Sequence, residues 1–126
     1  MEGDAGTWTF VCHLGDLEIG RTRGFDLAGK GQDQVFVVRA DSGLHAYVNS
    51  CPHWPTSPLP WRKDEYLDAT RSVIVCHGHG ARFRISDGLC FAGPCVGARL
   101  TALPVKLDGE RICIWVTGSL LKQPDS

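Results

Sequence analysis

Val73-Ile74-Val75-Cys76-His77-Gly78-His79-Gly80-Ala81-Arg82-Phe83, continuing through Arg84-Ile85-Ser86-Asp87-Gly88-Leu89-Cys90-Phe91, is the stretch that decides the fold. A β-branched run leads straight into a thiol and an imidazole. A second strand-like segment, Ala81 to Ile85, then reaches Asp87-Gly88, a dipeptide typical of two-residue hairpin turns, and Leu89 to Phe91 returns. The same logic holds upstream. Val35-Phe36-Val37-Val38 is a short β-branched and aromatic run, closed by Asp41-Ser42-Gly43, and Leu44 to Val48 is its hairpin partner. Downstream, Leu100 to Leu107, the turn Asp108-Gly109 and Arg111 to Val116 predict one more hairpin. Fifteen glycines and seven prolines suit many tight turns, and no segment carries an apolar stripe of helical period and length. The expectation is an all-β, antiparallel chain.

Composition narrows the function classes. With 126 residues the chain is expected to form a single domain, with room for a hydrophobic core but not for an added catalytic domain. A net charge of −1 with mixed signs points to no nucleic-acid surface and no membrane surface. No stretch is long and apolar enough to span a bilayer as a helix. The opening Met1-Glu2-Gly3-Asp4 is acidic and lacks the basic-then-apolar pattern of a signal peptide, so a reducing, cytoplasmic setting is expected. In that setting six cysteines are read as metal ligands and small core residues rather than as a disulfide framework.

The chemistry lies in two clusters. Cys51-Pro52-His53 offers a thiolate and an imidazole, and Cys76-His77-Gly78-His79 offers the same pair at C-x2-H spacing. Each follows a predicted strand, so two loops at one end of a sheet present two ligands each. Zinc accepts such a set in a closed tetrahedron, but its usual spacing pairs Cys with Cys and His with His. Mixing the two in each loop suits a binuclear centre with both thiolates on one iron and both imidazoles on the other.

With these motifs the chain resembles the Rieske-type [2Fe-2S] proteins, specifically the small Rieske ferredoxins. The resemblance runs from about Phe10 to Val116. It includes His79-Gly80-Ala81-Arg82-Phe83, Asp87-Gly88, Gly93-Pro94, Leu103-Pro104-Val105 and Asp108-Gly109. It implies a β-sandwich with a smaller cluster-binding subdomain, here about residues 49–97 of a single domain spanning 1–126. It implies a [2Fe-2S] cluster with Cys51 and Cys76 on one iron, His53 and His79 on the other, and Pro94 in a loop that covers the cluster. His77 stands where the family often has Pro and is read as a neighbour of the ligands. The interval from His53 to Cys76 is longer than in most ferredoxins of the family.

The implied function is one-electron carriage from a flavin reductase to a terminal oxygenase, without catalysis of its own. A 2-His-1-carboxylate oxygenase iron needs its own domain, and no residues remain to build one. The small subunit of an assimilatory nitrite reductase and a zinc-stabilised interaction module are the competing readings. Two thiolates and two neutral imidazoles cancel the formal charge of an oxidised cluster core, whereas four thiolates leave it negative. Potentials of Rieske centres accordingly run from roughly −150 to +300 mV, against about −400 mV for plant-type clusters. Respiratory members carry Ser and Tyr where this chain has Ala81 and Phe83, and a disulfide pair at positions matching Thr56 and Gly78. Lacking these, the chain is expected at the low end of the range, with a potential that falls at alkaline pH as the imidazoles lose protons.

Other residues have readings of their own. Cys12 and Cys113 lie in strand-like runs and are expected in the core. Cys90 and Cys95 are open to a disulfide or a second site, with packing the simpler role. His13 and His45 are expected to be structural or exposed. Trp54 and Trp61, among Pro55, Pro58 and Pro60, form either a rigid cover over the cluster or a docking surface for a redox partner. The tail after Val116 is expected to fray.

Overall fold

The computed structural model describes residues 6–50, 59–60, 63–77 and 80–117. The expectations for Trp54, Trp61 and most of the C-terminal tail lie outside these residues. Ten strands are described: β1 (Gly6–His13), β2 (Arg21–Phe25), β3 (Val35–Ala40), β4 (Gly43–Val48), β5 (Val73–Cys76), β6 (Ala81–Arg84), β7 (Cys90–Ala92), β8 (Ala102–Leu103), β9 (Val105–Asp108) and β10 (Arg111–Thr117). They form three sheets, in orders β1-β10-β9, β2-β3-β4-β8 and β5-β6-β7, and every strand pairing is antiparallel. The expected all-β class is what forms.

The β2-β3-β4-β8 sheet is the middle layer. Successive side chains of a strand point to opposite faces. Val35 and Val37 therefore join Ala46, Val48, Ile112, Ile114 and Val116 in one core, toward β10. Phe36 and Val38 join Tyr47, Ile74, Cys76, Ala81 and Phe83 in the other, toward β5 and β6. All four residues of Val35 to Val38 are 0% exposed. A half-solvated strand would alternate apolar and polar; this run is unbroken because both of its faces are covered. Each such side chain contributes about 1.5–3 kcal/mol of burial. Cys12 and Cys113 are buried as expected.

Two local expectations need correction. Leu100 to Leu107 is not one strand. Pro104 has no N–H to give a ladder, and the chain changes sheets there, with β8 pairing β4 and β9 pairing β10. The Pro104 carbonyl still accepts the Trp115 N–H at 3.0 Å. The Asp87-Gly88 turn is longer than two residues. Arg84 N–H donates to the Leu89 carbonyl and Gly88 N–H to the Arg84 carbonyl, leaving residues 85–88 as the loop. Gly88 has φ +74°, and a Cβ there would lie 2.9 Å from the Tyr47 ring. The Arg84 guanidinium hydrogen-bonds Asp87, which also accepts the Leu89 N–H, and these contacts hold the Asp87 carboxyl down to about 2.

The described end of the long interval before Cys76 is a docked element. Tyr66 stacks on Phe36 with ring centroids 4.0 Å apart. Thr22 Oγ1 donates to the Asp64 carbonyl at 2.6 Å, Gly24 N–H donates to Asp64 Oδ1 at 2.8 Å, and Lys63 Nζ donates to the Gly24 carbonyl and to Asp33. Val75 N–H donates to the Tyr66 carbonyl and Asp68 N–H to the Val73 carbonyl, so residues 66–68 run as an extra antiparallel edge along β5.

The Tyr66 hydroxyl is buried with no hydrogen-bond partner among the described residues. Burial, then the nearby charges of Asp33 and Asp64, push its pKa up, so it remains a phenol. Tyr66→Phe keeps the stacked ring and removes a donor whose desolvation is uncompensated. The variant is expected to gain about 1 kcal/mol, read as a rise of a few degrees in apparent Tm. A fall of similar size would mean that the hydroxyl has a partner.

Candidate metal centre

Of the four predicted ligands, Cys76 lies among the described residues. Cys51, His53 and His79 lie outside them. Cys76 ends β5 and is fully buried, because its neighbours in the core are Ile74, Ala81 and Phe83. It stands opposite Ala81 in the β5–β6 ladder, so residues 77–80 make the connection that carries His79. Gly80 N–H donates to the Cys76 carbonyl at 2.7 Å, and Gly80 takes φ +75°, a conformation that favours glycine. Cys76, the predicted ligand among the described residues, is thus anchored in the core, and its carbonyl is tied to Gly80 just before β6.

Asn49 and Leu59, on either side of residues 50–58, are hydrogen-bonded to each other. Asn49 follows β4 and is two residues before Cys51. Its side-chain Oδ1 accepts the Leu59 N–H at 2.9 Å, and its Nδ2 donates to the Asp33 carbonyl at 3.0 Å. Leu59 is fully buried, and its carbonyl accepts the His77 N–H at 3.0 Å. Leu59 therefore joins two points of the chain: it receives the residue two before Cys51 through the Asn49 side chain and the residue after Cys76 through the His77 N–H. This backbone bridge brings Asn49, just after β4, and His77, just after β5, to the same buried residue. His77 is exposed, and its ring Nδ1 lies 3.4 Å from the same Leu59 oxygen.

Neither Asn49 nor Leu59 stood out in the sequence. An Asn two residues before a Cys-Pro-His run is the only local signal, and the contact it makes spans ten residues.

A third segment closes on the second loop. Gly93 has φ +97°, and a Cβ there would sit 2.7 Å from Ala81 Cα and 3.1 Å from both Ala81 N and the Gly80 carbonyl oxygen. The backbone before Pro94 is therefore in direct contact with the residues that follow His79. The chemistry of a Cys2His2 donor set, with the Cys76 thiol rooted in the core and Gly93 closed on Gly80 and Ala81 beside it, fits a [2Fe-2S] centre. Around it, Ala81 and Phe83 are fully buried and carry no hydroxyl, while Arg82 and Arg84 point outward.

Gly93→Ala meets both an unfavourable φ and backbone atoms that cannot rotate away. Gly97 has φ +94° but open space where a Cβ would be, which makes it the control. Gly93→Ala is expected to lose about 1–3 kcal/mol more than Gly97→Ala, measured as the difference in apparent Tm. Equal losses would mean that the close approach to Ala81 carries no weight.

Comparison with known proteins gives these motifs a context. The ferredoxin component of the alkene monooxygenase system of Xanthobacter autotrophicus is 29% identical over 106 residues, covering 82% of this chain and 77% of that protein. Apoptosis-inducing factor 3 of Mus musculus is 33% identical over 104 residues; the match covers 82% of this chain but only 16% of that much longer protein. Among solved structures, the ferredoxin of carbazole 1,9a-dioxygenase from Nocardioides aromaticivorans IC177 aligns with a TM-score of 0.63 and 30% identity, over 84% of this chain and 96% of that one. The sequence model of the Rieske [2Fe-2S] domain matches residues 7–107, a span that runs from β1 into β9 and includes both ligand clusters. The chain belongs to the Rieske [2Fe-2S] domain family.

Proposed function

We propose that this protein is a one-electron carrier of the ferredoxin type, taking electrons from a flavin reductase and passing them to a terminal oxygenase. The observation that carries the reading is the Asn49–Leu59–His77 bridge, which ties the residue two before Cys51 to the residue after Cys76 in a chain of the Rieske family. Cys51 and Cys76 are the thiolate ligands and His53 and His79 the imidazole ligands. When bound, the cluster supplies a single-electron redox step. The chain's own residues position and shield it: Cys76 from the core, Gly80 through its turn, and Gly93 by closing on Ala81. The whole chain acts as one domain, with the cluster-bearing part over about residues 49–97.

Relatives named as ferredoxin components of oxygenase systems support the partner assignment. Redox proteins are therefore the partners, with no role for nucleic acid or membrane, and the cytoplasm is the proposed location. Among the described residues no helix is long and apolar enough to cross a membrane. The nitrite reductase and zinc readings gain no support from these relatives and are set aside.

The test is direct. Anaerobically purified protein should contain two irons and two acid-labile sulfides per chain. Reduction with dithionite should produce a rhombic electron paramagnetic resonance signal that a ferricyanide-type oxidant abolishes within one electron equivalent. A colourless protein with one zinc, or a reconstituted cluster silent after reduction, would reject the reading.

The environment of Ala81 and Phe83 generates a second expectation. Neither side chain donates a hydrogen bond, so the reduced, more negative state lacks hydroxyl stabilisation. Ala81→Ser is expected to raise the midpoint potential on the order of tens of millivolts, and the wild-type potential should fall as pH is raised. A spectroelectrochemical titration showing a strongly positive wild-type potential, flat with pH, would contradict both.

A further inference from the structure

Cys90 opens β7 and is buried, and Cys95 is partly exposed. The Cys95 thiol donates to the Cys90 sulfur with the two Sγ atoms 3.3 Å apart. The segments that hold them are locked together independently of the sulfurs. Cys90 N–H donates to the Ala98 carbonyl at 2.8 Å, and Gly97 N–H returns a bond to the Cys90 carbonyl at 3.0 Å. Ala98 N–H donates to the Cys95 carbonyl at 2.9 Å, closing a turn whose third residue is Gly97 at φ +94°. The backbone therefore presents two thiols to each other across a six-residue segment. Disulfide sulfurs lie about 2.05 Å apart, so closure needs an approach of just over about 1 Å, within reach of side-chain rotation.

We propose that Cys90 and Cys95 form a reversible dithiol–disulfide site that low-molecular-weight disulfides of the glutathione class close. The ring so formed encloses Phe91, Ala92, Gly93 and Pro94, the segment that rests on Gly80 and Ala81. Exposure assigns the order of events. The Cys95 sulfur, the more accessible, attacks glutathione disulfide; a mixed disulfide forms, the small disulfide's S–S bond breaks, and one glutathione thiol leaves with the proton that Cys95 gives up. The Cys90 sulfur then attacks the Cys95 sulfur; the protein S–S bond forms and the second glutathione departs as its thiol, taking up the Cys90 proton. Two protein thiols are oxidised by two electrons and one glutathione disulfide is reduced to two glutathiones. Excess dithiol reverses both steps. The site rests on thiol geometry alone, so it stands or falls separately from electron carriage by the cluster.

The sequence provides a clean readout. Cleavage after Arg84 and Arg99 releases a peptide of residues 85–99 that contains Cys90, Cys95 and no other cysteine. Cluster-loaded protein is equilibrated with glutathione disulfide, quenched with acid, alkylated with a maleimide and digested. The expected peptide is unalkylated and two hydrogens lighter than the dithiol form; after dithiothreitol it carries two maleimides. Cys12 and Cys113 should be alkylated in every sample. In Cys90→Ser the second step is blocked, and glutathione should accumulate on Cys95 to about tenfold the wild-type level. Two maleimides on the wild-type peptide in excess glutathione disulfide would overturn the proposal. So would equal glutathionylation of Cys95 in wild type and variant. The wild-type map decides the matter even if Cys90→Ser does not fold.

Discussion

The backbone of Leu59 is the constraint that ties the end of β4 to the end of β5. Its N–H is taken by the Asn49 side chain and its carbonyl by the His77 N–H, so two chain segments far apart in sequence meet at one buried residue. Neither bond is strong in isolation; a typical net contribution is about 1 kcal/mol. Their effect is geometric. A binuclear centre needs ligands from two loops at a fixed separation, and a residue with no solvent exposure and both backbone groups engaged cannot drift. Asn49 is itself braced by the Asp33 carbonyl, which ties this arrangement to the turn before β3.

Packing extends that brace into the core. Cys76 sits among Ile74, Ala81 and Phe83, and these lean on Phe36, Tyr47 and Tyr66 from the middle sheet and the docked interval. The interval contributes Tyr66 to this core and Asp64 and Lys63 to the edge of β2. Its described end, residues 63–68, thus builds structure along β2 and β5. Elsewhere Gly93 presses on Ala81, and the backbone bonds of Cys90 with Gly97 and Ala98 fix the base of the same loop.

What could be read from the chain before folding follows from physical range. The run Val35 to Val38 announced a strand and Asp41-Ser42-Gly43 its hairpin, because strand chemistry and turn chemistry are local, whereas the cover on both faces of that strand emerged only in the fold. The Cys/His pairs are equally local in sequence; of the four, Cys76 lies among the described residues, buried at the end of β5. Pro104 was visible, but the expectation of one strand from Leu100 to Leu107 ignored its missing N–H, and there the chain changes sheets. The docking of Asp64 on Gly24 and of Tyr66 on Phe36 was not legible. Those contacts join residues forty and thirty positions apart, and charged residues in a Pro-rich stretch resemble a solvated loop until their partners are known.

The doubly covered middle sheet has a consequence for redox work. A strand with solvent on one side can breathe toward water, but β3 is pressed from above and below, and β4 hands its last residues directly to the first ligand segment. A support buried on both faces gives little room for the chain beside it to shift. For a carrier of the proposed kind, such a support would keep the rearrangement that accompanies gain or loss of an electron small.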